Sequence, residues 1–452
     1  MFHQFTNCIE FFYNKIEHDS GMSNFVDYTN SIPSQLSTND EIFESKKDYQ
    51  SFPIALLNLL NTLIGPEILG VANSMIFCGL TISTVLLMLT AVLSYIGTIF
   101  ILNLQHMVQA ESINDMATKI YGRWAGQLFS GITLFFTFSN QISYLIVGQE
   151  TICSWLTLGG LESWTTGWRR SLVVLVYSLV LPVALTIPRQ MEFIDTASMF
   201  AIVAQLTFVG SMIYKGANYF GTQGQPIHPT CETGIINLNF FNAFSIYSTL
   251  FALPAVVLPQ LEPFTPKLKP RYWLLGTAFV MCFTIDIIPS AIGYLMFGST
   301  TDQILYSSFE HNDILMQVVR GGFFFVVNAA YPIVALMVMT DVGSMIYNQH
   351  NPRELPWGKR IICLLISNSL PVLVAMVMPK VRPIFEIGGS FGGCLSNFFF
   401  PPILYWKQLG RKWYDPMSIG LLLFALWGFV AMVVATAEAV IDAIETFKTE
   451  GI

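Results

Sequence analysis

Long apolar stretches constrain this chain more than any other feature of its sequence. From Ser51 onward there are eleven of them, each near the roughly 20 residues that an α-helix needs to cross a bilayer. They cover residues 52–77, 80–105, 124–150, 170–188, 193–214, 239–260, 272–297, 316–346, 360–378, 382–405 and 417–440. The short alternating strands of a membrane barrel are absent from the sequence. The pattern predicts an all-α polytopic membrane protein with eleven transmembrane helices.

Composition supports a lipid environment and argues against nucleic acid as a partner. Of the 452 residues, 53% are hydrophobic and 11% are charged, whereas an ordinary soluble domain has about 25% charged residues. The net charge is −7, and the 22 Lys and Arg are scattered singly. Because a nucleic-acid binder needs a basic face, we expect the lipid bilayer as a partner and no nucleic acid.

The chain divides into a polar tail, residues 1–50, and a transmembrane domain, residues 51–452. The tail has eight Asp and Glu against three Lys, which is typical of a disordered segment. Its aromatic patch at Phe11, Phe12 and Tyr13 leaves open a tail that docks on the bundle or on a regulatory protein. The Lys/Arg count is fifteen on the tail side and six on the other, so we expect a cytosolic N-terminus and an external C-terminus.

Two of the apolar stretches are interrupted near their middle. In the first, Gly65-Pro66 lies about 13 residues into the span, or roughly 20 Å at 1.5 Å per residue, and Glu67 follows directly. In the sixth, Pro254 and Pro259 interrupt the apolar run. A simple kink is the alternative interpretation of one such site. Two breaks five helices apart instead predict two inverted five-helix repeats, with the eleventh helix outside them.

Four segments resemble the amino acid/auxin permease family, which includes sodium-coupled neutral amino-acid transporters and vesicular GABA transporters. The first stretch has the pattern Asn58-x-x-Asn61-x-x-x-Gly65-x-x-Ile68-Leu69-Gly70. The others are Ile142-Ser-Tyr144-Leu-Ile-Val-Gly148, Gly293-Tyr294-Leu-Met-Phe297-Gly298 and Ile384-Phe385-Glu386-Ile-Gly388-Gly389. The likeness covers about residues 52–405. It implies an eleven-helix carrier of the amino acid–polyamine–organocation superfamily.

The resemblance also implies a function, which is secondary active transport of amino acids or related small amines by alternating access. The substrate carboxylate is expected to meet backbone N–H groups freed by the first break, at the positive end of a helix dipole. The expected substrate-binding residues are Thr62, Gly65, Pro66, Glu67, Asn140, Tyr144, Phe251 and Ala252.

The coupling ion is either a proton or sodium, and no other cofactor or metal is expected. Acids inside a membrane are costly and are functional candidates by default. The expected ion-coupling residues are Asn61, Glu67, Asp286 and Asn328. The resemblance implies that a residue of the eighth stretch lies beside Asn61 and helps to hold sodium. Depending on the register, this residue is Asn328 or Ala330. The Asn328 carbonyl could bind a hard cation, whereas the Ala330 side chain could not.

Glu67 departs from the family pattern, because relatives carry small residues after the first glycine. An ionised Glu67 repels a substrate carboxylate, so either Glu67 is protonated during binding or the ligand presents a cation here. Two other acids are candidates for a role in the bundle. Glu386 suits a gate or a pair with Arg382, and Asp341 suits solvation at the cytosolic end of its helix.

Other function classes and sites compete with this prediction. A non-transporting amino-acid sensor that signals through its tail is the alternative function. No Ser/His/Asp set, metal cluster or Gly-rich phosphate loop supports an enzyme. A disulfide between Cys153 and Cys231 is expected, because both lie on the predicted external side. We expect a multi-pass protein of the plasma membrane or of a lysosomal or vacuolar membrane.

Overall fold

Helices make up the regular structure of this chain, described here from a computed structural model. The structure describes residues 49–110, 112–189, 193–347, 354–378 and 380–450, and no β-strand occurs among them. The predictions for the tail therefore lie outside the described residues, apart from residues 49 and 50. The helices are α1 Phe52–Leu63, α2 Ile68–Val108, α3 Ile113–Tyr121, α4 Arg123–Leu158, α5 Gly167–Ser178, α6 Phe193–Gly216, α7 Phe240–Leu250, α8 Val257–Leu261, α9 Leu268–Phe297, α10 Ile314–Tyr347, α11 Trp357–Val377, α12 Arg382–Ile387, α13 Phe400–Leu409 and α14 Pro416–Glu450.

Eight helical stretches among the described residues are long and apolar enough to cross a membrane. They are Ile68–Val108, Arg123–Leu158, Gly167–Thr186, Met199–Thr222, Leu268–Thr300, Ile314–Tyr347, Trp357–Val377 and Pro416–Glu445. Of the other apolar stretches seen in the sequence, residues 239–260 and 382–405 are built from shorter helices, and residues 52–77 are divided between the short α1 and the start of α2. The all-helical prediction is confirmed, and the chain is a multi-pass integral membrane protein by composition and helix length.

The first interruption separates α1 from α2. Ile64 ends α1 in an extended conformation while its N–H still donates to the Leu60 carbonyl at 2.8 Å. Pro66 cannot donate a backbone hydrogen bond, so the helix resumes only at Ile68. Two helix ends of opposite polarity therefore face each other across four residues, the C-terminus of α1 and the N-terminus of α2.

The second interruption separates α7 from α8 by the non-helical residues 251–256. The Arg271 guanidinium on α9 holds the end of α8 and the turn after it. It donates to the carbonyls of Leu261 at 3.1 Å and Thr265 at 2.8 Å. A buried cation here satisfies carbonyl groups that the short helix leaves unpaired.

A glycine turn divides the long helix α2. Gly79 has a φ of +75°, a left-handed conformation that favours glycine. A loop from the polar segment before α7 pairs with this turn, as Leu80 N donates to Glu232 O and Ile235 N donates to Cys78 O, at 2.9 and 2.8 Å. A Cβ at Gly79 would lie 2.7 Å from the Glu232 carbonyl oxygen, so the close approach also requires glycine.

Candidate functional site

Both helix interruptions open onto one cavity of about 530 Å³. This volume is typical of small-molecule sites, which occupy about 300–1,000 Å³. The wall combines α1, α4, both broken segments and α10, and most of it is apolar. Its polar or charged side chains are Asn58, Asn61, Thr62, Glu67, Ser112, Asn114, Thr133, Thr137, Asn140, Tyr144, Thr249, Gln260, Thr340 and Asp341.

The cavity lies on one side of the two breaks. Its lining takes α1 and the break as far as Glu67, but nothing from α2. It takes the last two residues of α7, the second break and α8, and on α10 only positions from Val326 to Asp341. Ser112, which precedes α3, and Gln260, near the end of α8, lie at its outer end. The cavity is a vestibule that leads from that side to the breaks.

The opposite side of the breaks is packed shut. The Ser74 hydroxyl on α2 donates to the Tyr247 hydroxyl on α7 at 2.9 Å. The Asn73 amide donates to the Thr301 carbonyl at 2.7 Å. Asn73, Ser74, Tyr247 and Thr301 are all buried. The site is therefore accessible from one side and closed on the other.

Glu67 is the acid at the closed end of the vestibule. It is 5% exposed, and its carboxylate accepts a hydrogen bond from its own backbone N–H. The side chain folds over Gly65, where an added Cβ would overlap Glu67 Oε2. Its titratable neighbours are Tyr144 and Asp286, which interact with it electrostatically. Glycine at position 65 is thus needed to let the carboxyl group lie against the backbone.

The first break leaves backbone groups without backbone partners. Neither the Gly65 N–H nor the Ile68 N–H donates to another backbone group of the described residues. The Ile64 carbonyl instead accepts a hydrogen bond from the buried Gln205 side chain on α6. Donors at the N-terminus of α2 favour an anionic group such as a carboxylate, as the resemblance implies.

Seven of the eight predicted substrate-binding residues line the cavity. They are Thr62, Gly65, Pro66, Glu67, Asn140, Tyr144 and Ala252. Phe251 does not line it, in contrast to the prediction. Its ring is buried and stacks on Phe279 with centroids 5.9 Å apart, because the chain turns at this residue and directs the ring into the core beside α9.

The structure places two of the four predicted ion-coupling residues at the cavity and two away from it. Asn61 and Glu67 line the cavity, whereas Asp286 and Asn328 do not. Asp286 is buried on α9, where the Cys282 thiol donates to its Oδ2 at 3.2 Å. Asn328 Oδ1 accepts from the Tyr177 hydroxyl at 2.9 Å, so its carbonyl is directed to α5 and away from the vestibule.

Two residues of the site were missed from the sequence. Asp341, which was predicted to be solvated at a helix end and was left out of the predicted site residues, is partly exposed and lines the vestibule. It follows Ala330 by eleven residues, or three helical turns, which puts both on one face of α10. That spacing was visible in the sequence. Gln205 carried no comparable signal, since its role depends on how α6 packs beside the break.

Two further expectations concern groups away from the vestibule. Glu386 is buried, and Arg382 Nε lies 3.5 Å from its Oε1, so the expected pair is present. Arg382 also binds Asp442 on α14 at 2.6 Å. The disulfide between Cys153 and Cys231 is not formed in this structure. Both are free thiols, and the Cys231 thiol contacts the Tyr294 carbonyl at 3.0 Å.

Known proteins are similar to this chain over nearly its whole length. The family model described as "Transmembrane amino acid transporter protein" matches residues 49–441. A sodium-coupled neutral amino acid symporter 2 from Danio rerio is 22% identical over 470 residues, covering 93% of this chain and 92% of that protein. The family is one of transporters and not of enzymes. The chain belongs to the transmembrane amino acid transporter family.

Proposed function

We propose that this protein is a secondary active transporter that moves amino acids by alternating access around the two helix interruptions. The observation that carries the proposal is the vestibule, which leads from one side to both breaks while the other side is packed shut. Broken helices near the middle of a bundle are where transporters bind substrates, because they supply helix ends and free backbone groups.

The proposed topology has eleven spans in two inverted five-helix repeats. Eight long helical stretches are present in the described residues. The pairs α1 with the first part of α2, α7 with α8, and α12 with α13 each supply one more span. The broken spans are then the first and the sixth, which occupy corresponding places in the two repeats. With the N-terminus in the cytosol, the vestibule opens to the cytosol and the C-terminus is external. A cysteine introduced at the exposed position of Lys448 should be labelled from the external side. Labelling from the cytosolic side alone would contradict this orientation.

Alternating access requires the closed side to separate while the vestibule closes. The groups that must part there are the polar contacts between α2 and its neighbours, chiefly Ser74 with Tyr247 and Asn73 with Thr301. Hydroxyl and amide contacts suit this role, because water can replace them when they separate. The net cost of exchanging one such hydrogen bond is about 1 kcal/mol.

The coupling ion in this proposal is a proton carried by Glu67. The wall that α10 presents at the level of the break consists of Val326, Ala329, Ala330, Ile333 and Val334. None of these side chains offers an oxygen, and a hard cation such as sodium requires oxygen ligands. Glu67, in contrast, is a buried carboxyl at the end of an open vestibule. Its neutral form removes the repulsion that an ionised carboxylate exerts on a substrate carboxylate.

The test is transport by the purified chain in proteoliposomes. Labelled amino acids are supplied under an imposed pH gradient, an imposed sodium gradient, or neither. The proposal predicts accumulation that follows the pH gradient and is indifferent to sodium. Accumulation driven by sodium alone would refute proton coupling. Specific binding of an amino acid without uptake under any gradient would refute transport and favour the alternative of a sensor.

A further inference from the structure

One side chain behind the first break connects it to a neighbouring helix. Gln205 lies on α6, is 1% exposed and does not line the vestibule. Its amide nitrogen donates to the Ile64 carbonyl, one of the groups that the end of α1 leaves without a helical partner. The amide oxygen of Gln205 has no hydrogen-bond partner among the described residues. Within that part of the chain, the polar contact of this side chain is therefore with the break.

The helix that carries Gln205 is fastened to α10 by apolar packing. Ala201 and Ala204 of α6 form one buried cluster with Val326 of α10. The ring of Phe208 packs edge to face on Phe323 of α10, with centroids 5.5 Å apart. Close-packed apolar contacts are costly to separate, because water gains no hydrogen bonds when it fills the gap. We therefore expect α6 and α10 to move together.

The vestibule lies between these two helices and α1. Val326 belongs to the cluster with α6 and also lines the vestibule, whereas Asn61 and Thr62 line it from α1. When the vestibule closes, α1 shifts against the α10 wall, and hence against α6. A donor and an acceptor about 3.6 Å apart no longer form a hydrogen bond. A small shift of α1 is thus enough to break the contact between Gln205 and Ile64.

From this arrangement we infer that Gln205 is a positioning residue of the transport cycle, whose bond to the Ile64 carbonyl holds α1 in place while the vestibule is open. The inference rests on the proposed function and gives a role in alternating access to a residue outside the substrate site. The bond is present with the vestibule open and is lost when it closes, so it favours the open vestibule. Removing the bond should shift the balance towards the state that is open on the other side.

Replacing Gln205 by methionine isolates this hydrogen bond. Methionine is close to glutamine in length and keeps the apolar packing of the side chain, but its thioether has no hydrogen to donate. The net contribution of one hydrogen bond corresponds to about a fivefold change in a two-state equilibrium. Gln205→Met should therefore change the ratio of the two states about fivefold.

Two introduced cysteines, each in a separate variant, report the two states. Ala330→Cys lies in the vestibule, and Thr301→Cys lies on the closed side, where the native residue is 4% exposed. N-ethylmaleimide labels each thiol in the state that exposes it, and the mass of the labelled peptide separates the introduced thiol from native ones. In Gln205→Met the Thr301→Cys rate should rise and the Ala330→Cys rate should fall, so that their ratio increases about fivefold.

A buried glutamine elsewhere in the bundle supplies the matched control. Gln141 lies on α4 outside the vestibule lining, and its amide has no hydrogen-bond partner among the described residues. Gln141→Met should therefore keep the labelling ratio of the parent. If Gln205→Met does not fold, Gln205→Asn replaces it, because its amide is one methylene group short of the Ile64 carbonyl, and the same increase is expected.

The outcomes separate this inference from the proposed function, because labelling reports conformation without transport. An unchanged ratio in the Gln205 variant overturns the inference, even where the parent accumulates amino acids. A rise of both labelling rates also overturns it, since general loosening of the bundle exposes both thiols. A ratio that increases as expected, in a chain that transports no amino acid, supports the role of Gln205 in holding α1 and refutes the proposed transport.

Discussion

Replacing Glu67 by glutamine tests the proposed coupling most directly. Glutamine has nearly the shape of a protonated glutamate but cannot release a proton. Its amide oxygen can still accept the hydrogen bond that the Glu67 backbone N–H now gives to the carboxylate. The substrate site should therefore remain intact, so that Glu67→Gln binds and exchanges amino acids but no longer accumulates them in response to a pH gradient.

The size of the effect follows from the number of carboxyl groups at the break. Glu67 is the acid that lines the cavity there, since Asp286 does not line it, and this predicts one proton per transport cycle. A difference of one pH unit supplies about 1.4 kcal/mol per proton, which corresponds to a tenfold concentration ratio. With the membrane potential clamped at zero, the parent should accumulate substrate about tenfold per pH unit, and Glu67→Gln should stop at a ratio of about one.

The assay measures the steady-state internal concentration of labelled substrate at imposed differences of zero, one and two pH units. Counterflow exchange, with unlabelled substrate preloaded at equal pH, reports whether the variant still binds and cycles. Asp286→Asn is the control, since it removes a buried acid near Glu67 that lies outside the cavity, and it should keep the slope of the parent. If Glu67→Gln accumulated substrate tenfold per pH unit, the coupling mechanism would be wrong.

Two predictions concern the bundle and its outer edge. A Cβ at Gly389 would lie 2.6 Å from the Ser245 carbonyl carbon, so Gly389→Ala should lower stability by about 1–3 kcal/mol through overpacking. The control Gly131→Ala, with nothing within 4 Å of the added methyl, should leave Tm unchanged or slightly raised. Burial alone raises the pKa of the Asp313 carboxyl, but hydrogen bonds from Lys215 and a backbone N–H hold it below its ordinary value of 3.8. A lowered folded-state pKa stabilises the fold above pH 3.8, and this contribution disappears as the pH falls through the folded value. The Tm difference between the parent and Asp313→Asn should therefore be constant above about pH 5 and shrink in more acidic solution, and a difference that grew on acidification would contradict the assignment.

Local chemistry made the first break predictable from the sequence. Proline cannot continue a hydrogen-bonded helix, and an adjacent glycine tolerates the backbone conformation that an interrupted helix requires. The structure places the gap at residues 64–67, where Gly65-Pro66 indicated it. The position of Glu67 at the cavity followed from the same reasoning, because its backbone belongs to the break itself.

Side-chain direction at the second break was less predictable. Phe251 lies next to Ala252, yet its ring packs on Phe279 while Ala252 lines the cavity. Helices that are apolar on every face carry no periodic signal that says which face meets the site. Only the packing of neighbouring helices decides that rotation, and a single sequence does not contain it.

The register of α10 bears on the choice between sodium and a proton as the coupling ion. The sequence left Asn328 and Ala330 as alternatives for the position beside Asn61, and the structure puts Ala330 at the cavity and ties Asn328 to Tyr177. The α10 wall at the break thus presents no side-chain oxygen to a sodium ion. At the same break lies Glu67, where the resemblance drawn from the sequence led us to expect a small residue. A carboxyl group that binds and releases a proton needs no ligands from α10, because one side chain holds the ion by itself. An α10 wall without side-chain oxygens and an acid at the break are therefore both consistent with the proposed coupling by a proton on Glu67.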